Sequence, residues 1–157
     1  MRKTGQAINI LFVCHGNICR SPMAEFVMKD LVKRRGLEQA FHIESAATSS
    51  EELGNPVHPG TRRRLAQEGI SCAKKTARRI RREDYYQYDI LVGMDRQNVK
   101  NMLRAFGGDS EHKVHLMMEF AGHDGIDVDD PWYTGNFDET YDDVLEGCLG
   151  LLKHLGF

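Results

Sequence analysis

Short apolar runs alternate with stretches of helical period along the chain, the pattern of strands and helices taking turns. Ile8 to Val13 (INILFV) reads as a buried strand, and Met23, Phe26, Val27 and Val32 then recur at helical spacing. A second strand is expected over 41–46 (FHIESA), then the turn-rich 54–60 (GNPVHPG), then a short helix from Thr61 to Glu68 stopped by Gly69. DILVGM (89–94) is a third strand, Arg96 to Phe106 a helix ending at Gly107-Gly108, and KVHLMMEF (113–120) a fourth strand. A loop rich in Gly and Asp (121–137) leads into a last helix from Glu139 to Leu155. Such alternation implies an α/β fold: one Rossmann-like, three-layer α/β/α domain over residues 1–157, its four-stranded parallel sheet covered on both faces. Ligands of such sheets bind at the carboxyl ends of strands, near the point where strand order reverses.

Composition narrows the function classes. A length of 157 residues, 41% apolar and 28% charged, suits one ordinary globular domain. The net charge of -2 gives no overall drive toward nucleic acid or membranes. Lys33-Arg34-Arg35, Arg62-Arg63-Arg64 and Lys74 to Arg82 are basic; each is either a solvated face or a basic approach to an anionic site. No apolar stretch approaches the roughly 20 residues that span a bilayer. The start MRKTGQAINILFV lacks a cleavage site of small residues and is read as leading into the first strand, not as a signal peptide. Four cysteines (Cys14, Cys19, Cys72, Cys148) are too few for a secreted disulfide scaffold, which points to the reducing cytoplasm. Their spacing does not suit zinc, and the seven histidines show no ligand pattern, so neither metal nor cofactor is expected.

The stretch VCHGNICRSP (13–22) stands where the first strand should end and a helix begin. Unpaired N–H groups at a helix start, together with the helix dipole, attract anions. Gly16 allows close approach, Asn17 tolerates the left-handed region, and Arg20 offers a planar fork for two phosphate oxygens. The loop, with His15 and Ile18 inside it, is therefore a candidate cradle for phosphate or sulfate. A thiol at its base, Cys14, would have its thiolate stabilised by the amides, Arg20 and the Ser21 hydroxyl, and could attack phosphorus. The competing account is a buried cysteine beside an N-cap Ser21 with Pro22 at the first helical position. It leaves Gly16, Asn17 and Arg20 unexplained. His15 either adds positive potential when protonated or simply faces solvent.

Expelling an alkoxide or phenoxide requires a general acid. VDDPWYTGN (128–136) offers Asp130, whose backbone Pro131 biases toward the extended region, followed by Trp132 and Tyr133 as flat walls for a ring. Alone, this Asp-Pro would be read as a turn. Beside the cradle it becomes the candidate acid.

Together these stretches resemble the low-molecular-weight protein tyrosine phosphatase family, of the phosphotyrosine protein phosphatase I type. The resemblance covers essentially the whole chain: VCHGNICRSP, ESAATS, GNPVHP, DILVGMDRQN and DPWY. It implies Cys14 as nucleophile, Arg20 as phosphate clamp, Asp130 as general acid and later base, and Ser21 as hydrogen-bond donor to the sulfur. It implies a strained Asn17 bonded to Ser45, and a Cys19 able to form a reversible disulfide with Cys14 under peroxide; a small residue tucked behind the loop is the plainer account of Cys19. The implied partners are phosphotyrosine-containing proteins, and the expected state is a monomer. Two departures bear on specificity: Glu51 stands where many relatives carry an aromatic residue, and Lys75 where a histidine often supports the Asn17 network.

Other readings share the cradle. Arginine phosphatases of this fold carry Thr at the position of Ile18 and lack the Trp-Tyr pair. Arsenate reductases need two further neighbouring cysteines, whereas Cys72 and Cys148 are isolated in sequence. A non-catalytic phosphotyrosine-binding module would need the cradle but neither Asp130 nor an ionised Cys14.

Overall fold

The computed structural model describes residues 6–157; the reading of the first five residues as part of no signal peptide lies outside them. Four parallel strands form one sheet in the order β2-β1-β3-β4: β1 (Ile8–Cys14), β2 (Phe41–Ala47), β3 (Ile90–Gly93) and β4 (Val114–Leu116). β1 pairs in register with β2 from Ile8 opposite Phe41 to Cys14 opposite Ala47, and on its other side with β3 from Ile10 opposite Ile90. Chain order reverses across β1, so the loop following Cys14 lies at the switch point where such sheets bind ligands.

Successive strand residues point to opposite faces, and β1 divides its apolar side chains accordingly. Ile8, Ile10, Phe12 and Cys14 join one buried cluster with α1 (Arg20–Arg34), α2 (Pro59–Gln67) and α6 (Phe137–His154), through Met23, Val27, Leu65, Val144 and Leu151. Leu11 and Val13 face a second cluster with α3 (Asp84–Gln87) and α4 (Arg96–Phe106), through Tyr85, Met102 and Phe106. Ile10, Leu11 and Phe12 are fully buried, each contributing about 1.5–3 kcal/mol on removal from water. This explains why the first strand shows no apolar–polar alternation: both faces are covered.

Several boundaries differ from the sequence reading. The fourth strand ends at Leu116, and Met117–Ala121 turns into a 3-10 helix whose Glu119 carboxylate accepts the Leu116 N–H at 2.7 Å. β3 offers only Leu91 to Gly93 as partners, so the apolar run outlasts its ladder. α1 starts at Arg20, with Cys19 as N-cap, three residues before the helical period read from Met23; Ser21, the N-cap of the competing account, lies inside the helix. α3 and a short α5 (Pro131–Thr134) fall in stretches read as connections. The helix stop at Gly107 is a left-handed residue (φ 76), as expected. Among the described residues no helix is long and apolar enough to cross a membrane.

Candidate active site

The carboxyl ends of the strands bring Cys14, Asp95 and the 122–130 loop together. Cys14 closes β1 and is 3% exposed. Its Sγ lies 3.0 Å from Ser21 Oγ and accepts the Ser21 N–H at 3.4 Å, in the first turn of α1. The loop between is latched at several points: Thr48 N–H to Cys14 O at 2.9 Å, Ser49 N–H to His15 O at 3.1 Å, His58 N–H to Ile18 O at 2.8 Å, and Thr61 Oγ1 to Cys19 O at 3.2 Å. Asn17 sits in the left-handed region at φ 60 and is 1% exposed.

The side chain of Asn17 explains how that conformation is held. Its Oδ1 accepts the Arg78 N–H at 3.2 Å, which turns its amide nitrogen toward two hydroxyls, Ser21 Oγ at 2.8 Å and Ser45 Oγ at 2.9 Å. Ser21 Oγ accepts from Asn17, which leaves its single proton available to the Cys14 sulfur 3.0 Å away. Ser45 gives its own proton to the buried Glu25 carboxylate at 2.6 Å. Lys29 at 2.6 Å and Lys75 at 3.2 Å neutralise Glu25, and Lys75 also donates to Ser45 O at 2.8 Å. Lys75 thus supports the Asn17 network with an ammonium. Glu25 escaped the sequence reading, since nothing local marks a helical Glu as buried beside a serine 20 residues away.

Arg20, 3% exposed, is held in a fork of acceptors: Nη1 donates to Asp95 Oδ2 at 2.8 Å and Val128 O at 2.9 Å, and Nη2 to Asp130 Oδ2 at 3.4 Å. Burial opposes its charge, but the Cys14 sulfur, the Asp95 hydrogen bond and the Asp130 carboxylate outweigh it and hold the guanidinium above its ordinary range. Asp95 does two things at once. It caps α4, accepting the Asn98 N–H on Oδ1 at 2.7 Å while Oδ2 faces Arg20. Asp95 was not assigned a part from sequence, although DRQN at a strand end carried the signal of an N-cap.

Asp130 has the extended backbone that Pro131 imposes (φ -80, ψ 115) and caps α5 through Oδ1, which accepts the Trp132 N–H at 3.0 Å. A pocket of about 130 Å³ is lined by Cys14, His15, Gly16, Ile18, Cys19 and Arg20 from the loop, and by Glu51, Glu52, Asp130, Trp132 and Tyr133. Asn17, Ser21 and Ser45 lie behind this surface as buried supports. Trp132 leans on His58, edge to face with centroids 5.7 Å apart, and both Trp132 and Tyr133 are exposed. His15 Nε2 meets Glu51 Oε2 at 2.9 Å, so this histidine joins the cradle to the rim. Cys14 and Cys19 are both free thiols. Burial first, then the Cys14 sulfur and Asp130, push the Cys19 thiol up to about 12.

The profile of the low molecular weight phosphotyrosine protein phosphatases matches residues 9–156. The chain belongs to that family. It is therefore a phosphatase of the protein-tyrosine class, with the α/β fold expected of it. The low molecular weight protein-tyrosine-phosphatase YfkJ of Bacillus subtilis is 41% identical over 150 residues, covering 94% of this chain and 96% of that protein. The YfkJ crystal structure superposes with a TM-score of 0.93, at 37% identity over 98% of this chain and 97% of that one. A Streptococcus pyogenes low molecular weight protein tyrosine phosphatase gives 0.84 at 42% identity, covering 96% of this chain and 94% of that one. A Drosophila arginine phosphatase gives 0.85 at 30% identity, covering 94% of this chain and 98% of that one.

Proposed function

We propose that residues 1–157 form one catalytic domain that hydrolyses phosphotyrosine in proteins, and small aryl phosphates, in two displacements at Cys14. The observation that carries this reading is the convergence of the Cys14 sulfur, the Arg20 fork and Asp130 in one ring-sized pocket. Arg20 and the loop amides bind the phosphoryl oxygens. Cys14 Sγ attacks phosphorus as the P–O bond to the tyrosine breaks, and Asp130 gives its proton to the departing phenoxide. The product is a phosphocysteine. Asp130, now a base, takes a proton from water, which attacks phosphorus. The S–P bond breaks and the electron pair returns to a sulfur stabilised by the Ser21 hydroxyl. Electrostatic holding by Arg20 and the amides supports both transition states. Trp132 and Tyr133 support a flat aromatic substrate, and the enzyme is taken to act as a cytoplasmic monomer.

Turnover of para-nitrophenyl phosphate with a Cys14→Ser control tests the reading. Hydrolysis that is lost in the variant is expected; hydrolysis that survives it, or a wild type that only binds phosphotyrosine, overturns it in favour of another nucleophile or a binding module. Asp130→Ala should slow aryl phosphates with basic leaving groups about 10²–10⁴-fold and activated ones far less. Equal losses across leaving groups would remove Asp130 from the acid's role. The arginine phosphatase among the similar structures sets the one competing substrate, and a panel of phosphotyrosine, phosphoarginine and phosphoserine peptides decides it; Ile18 and the Trp132-Tyr133 pair favour the first.

A further inference from the structure

We infer that the pocket's rim selects phosphotyrosine substrates bearing Lys or Arg beside the phosphorylated residue, with Glu51 and Glu52 as the specificity-determining residues. The inference rests on the phosphatase reading above and adds the charge of the peptide to it.

Two consecutive carboxylates line a pocket whose floor is built to hold an anion. Neither sways freely in solvent. Glu51 is tied to the cradle through His15 at 2.9 Å, and Glu52 Oε2 accepts from Asn55 Nδ2 at 2.6 Å. Glu52 also packs against the loop itself: a Cβ placed on Gly16 would lie 3.2 Å from its Cγ. They stand beside the phosphoryl group that Arg20 receives, and their charge repels it. The protein supplies little to offset that repulsion. Arg20 is already faced by Asp95 and Asp130. Arg79, the neighbouring base, donates to Ser50 Oγ at 3.1 Å but does not line the pocket. His15 offsets Glu51 only when it is protonated.

A substrate that brings its own cation removes the conflict. A Lys or Arg next to the phosphotyrosine meets Glu51 or Glu52 while the phosphate reaches Arg20. The exposed rings of Trp132 and Tyr133, 58% and 84% accessible, offer faces to the same cation. An acidic flank meets two like charges instead. Exposed pairs are individually weak, worth about 2–5-fold each, so two of them set a preference of about 4–25-fold between basic and acidic flanks. Screening by salt should erase it.

The test uses the full chain and phosphotyrosine peptides of one sequence whose flanking residues are all Lys, all Ala or all Glu, with para-nitrophenyl phosphate as the probe that has no flanks. Wild type should rank Lys over Ala over Glu in kcat/KM at low salt. The ranking should collapse at about 1 M salt, where the screening length is about 3 Å. In Glu51→Lys/Glu52→Lys the order should invert. A wild type that hydrolyses para-nitrophenyl phosphate yet treats the three peptides alike overturns the inference and leaves the phosphatase reading standing. A variant that keeps the Lys preference overturns it too, by moving the selection elsewhere. Loss of para-nitrophenyl phosphate turnover in wild type would strike the underlying reading instead.

Discussion

Replacing Asn17 by Ala removes three hydrogen bonds from the phosphate loop and puts an unsuited residue into a left-handed backbone. Each bond is between neutral groups, two of them buried and the one from Arg78 partly so, and each loss costs about 1 kcal/mol, or about 3 kcal/mol for the three. Holding Ala at positive φ adds about 1 kcal/mol. The sum, about 4 kcal/mol, corresponds to a fall in Tm of about 8–16 °C for a chain of this size. Asn17→Gly isolates the two contributions: it loses the same bonds but tolerates the backbone, and should be less destabilised by about 1 kcal/mol. Both variants should also lose about 10²-fold in kcat/KM, because the Ser21 hydroxyl and the loop amides are no longer held against Cys14 and the phosphate. Urea unfolding and para-nitrophenyl phosphate kinetics on the three proteins give all the numbers needed. If both variants unfold within about 1 kcal/mol of wild type, or if Ala is the more stable of the two, the network does not hold the loop as described.

Ser21→Ala should lower kcat about 10–100-fold by removing a hydrogen bond to a charged sulfur, and stopped-flow traces should show a burst of phenol, since departure of Cys14 from phosphorus suffers most; a loss without a burst refutes that role. Cys19, pushed up to about 12 mainly by burial, keeps a proton that the unfolded chain releases at about 8.5. Its contribution to stability is therefore complete below that pH and declines as pH rises toward 12. Urea midpoints of wild type minus Cys19→Ala should narrow between about pH 8 and 10.5, and a difference that stays flat contradicts the buried thiol.

The parts of the site that could be read from sequence are those whose chemistry is local. Cys14, Asn17, Arg20 and Ser21 fall within eight residues, and Pro131 marks the backbone of Asp130. The strand–helix alternation likewise located all four strands, most plainly the central β1 and β3, whose burial on both faces leaves continuous apolar runs. What escaped depended on distance or length. Glu25 and Asp95 matter because the fold carries them to Ser45 and Arg20. The run over 113–120 stops being a strand at Leu116 because β3 is too short to pair further, which apolarity alone does not reveal. α3 is a single turn inside a charged stretch, with Asp84 fully buried and gripped by Arg78 at 3.1 and 3.2 Å. No hydrophobic period announces such a turn. The rim departure at Glu51 was visible, but its coupling to His15 was not.

The central claim is that phosphorus is transferred to Cys14 before it reaches water. Rapid acid quenching of Asp130→Ala during turnover of para-nitrophenyl phosphate, whose activated leaving group departs with little help from the acid while hydrolysis still lacks its base, followed by peptide mass spectrometry, tests it most directly. The account predicts phosphate on the Cys14 sulfur, approaching one per enzyme, and none when Cys14 is Ser. Phosphate on another residue, or turnover in which no phosphoenzyme ever forms, would contradict it.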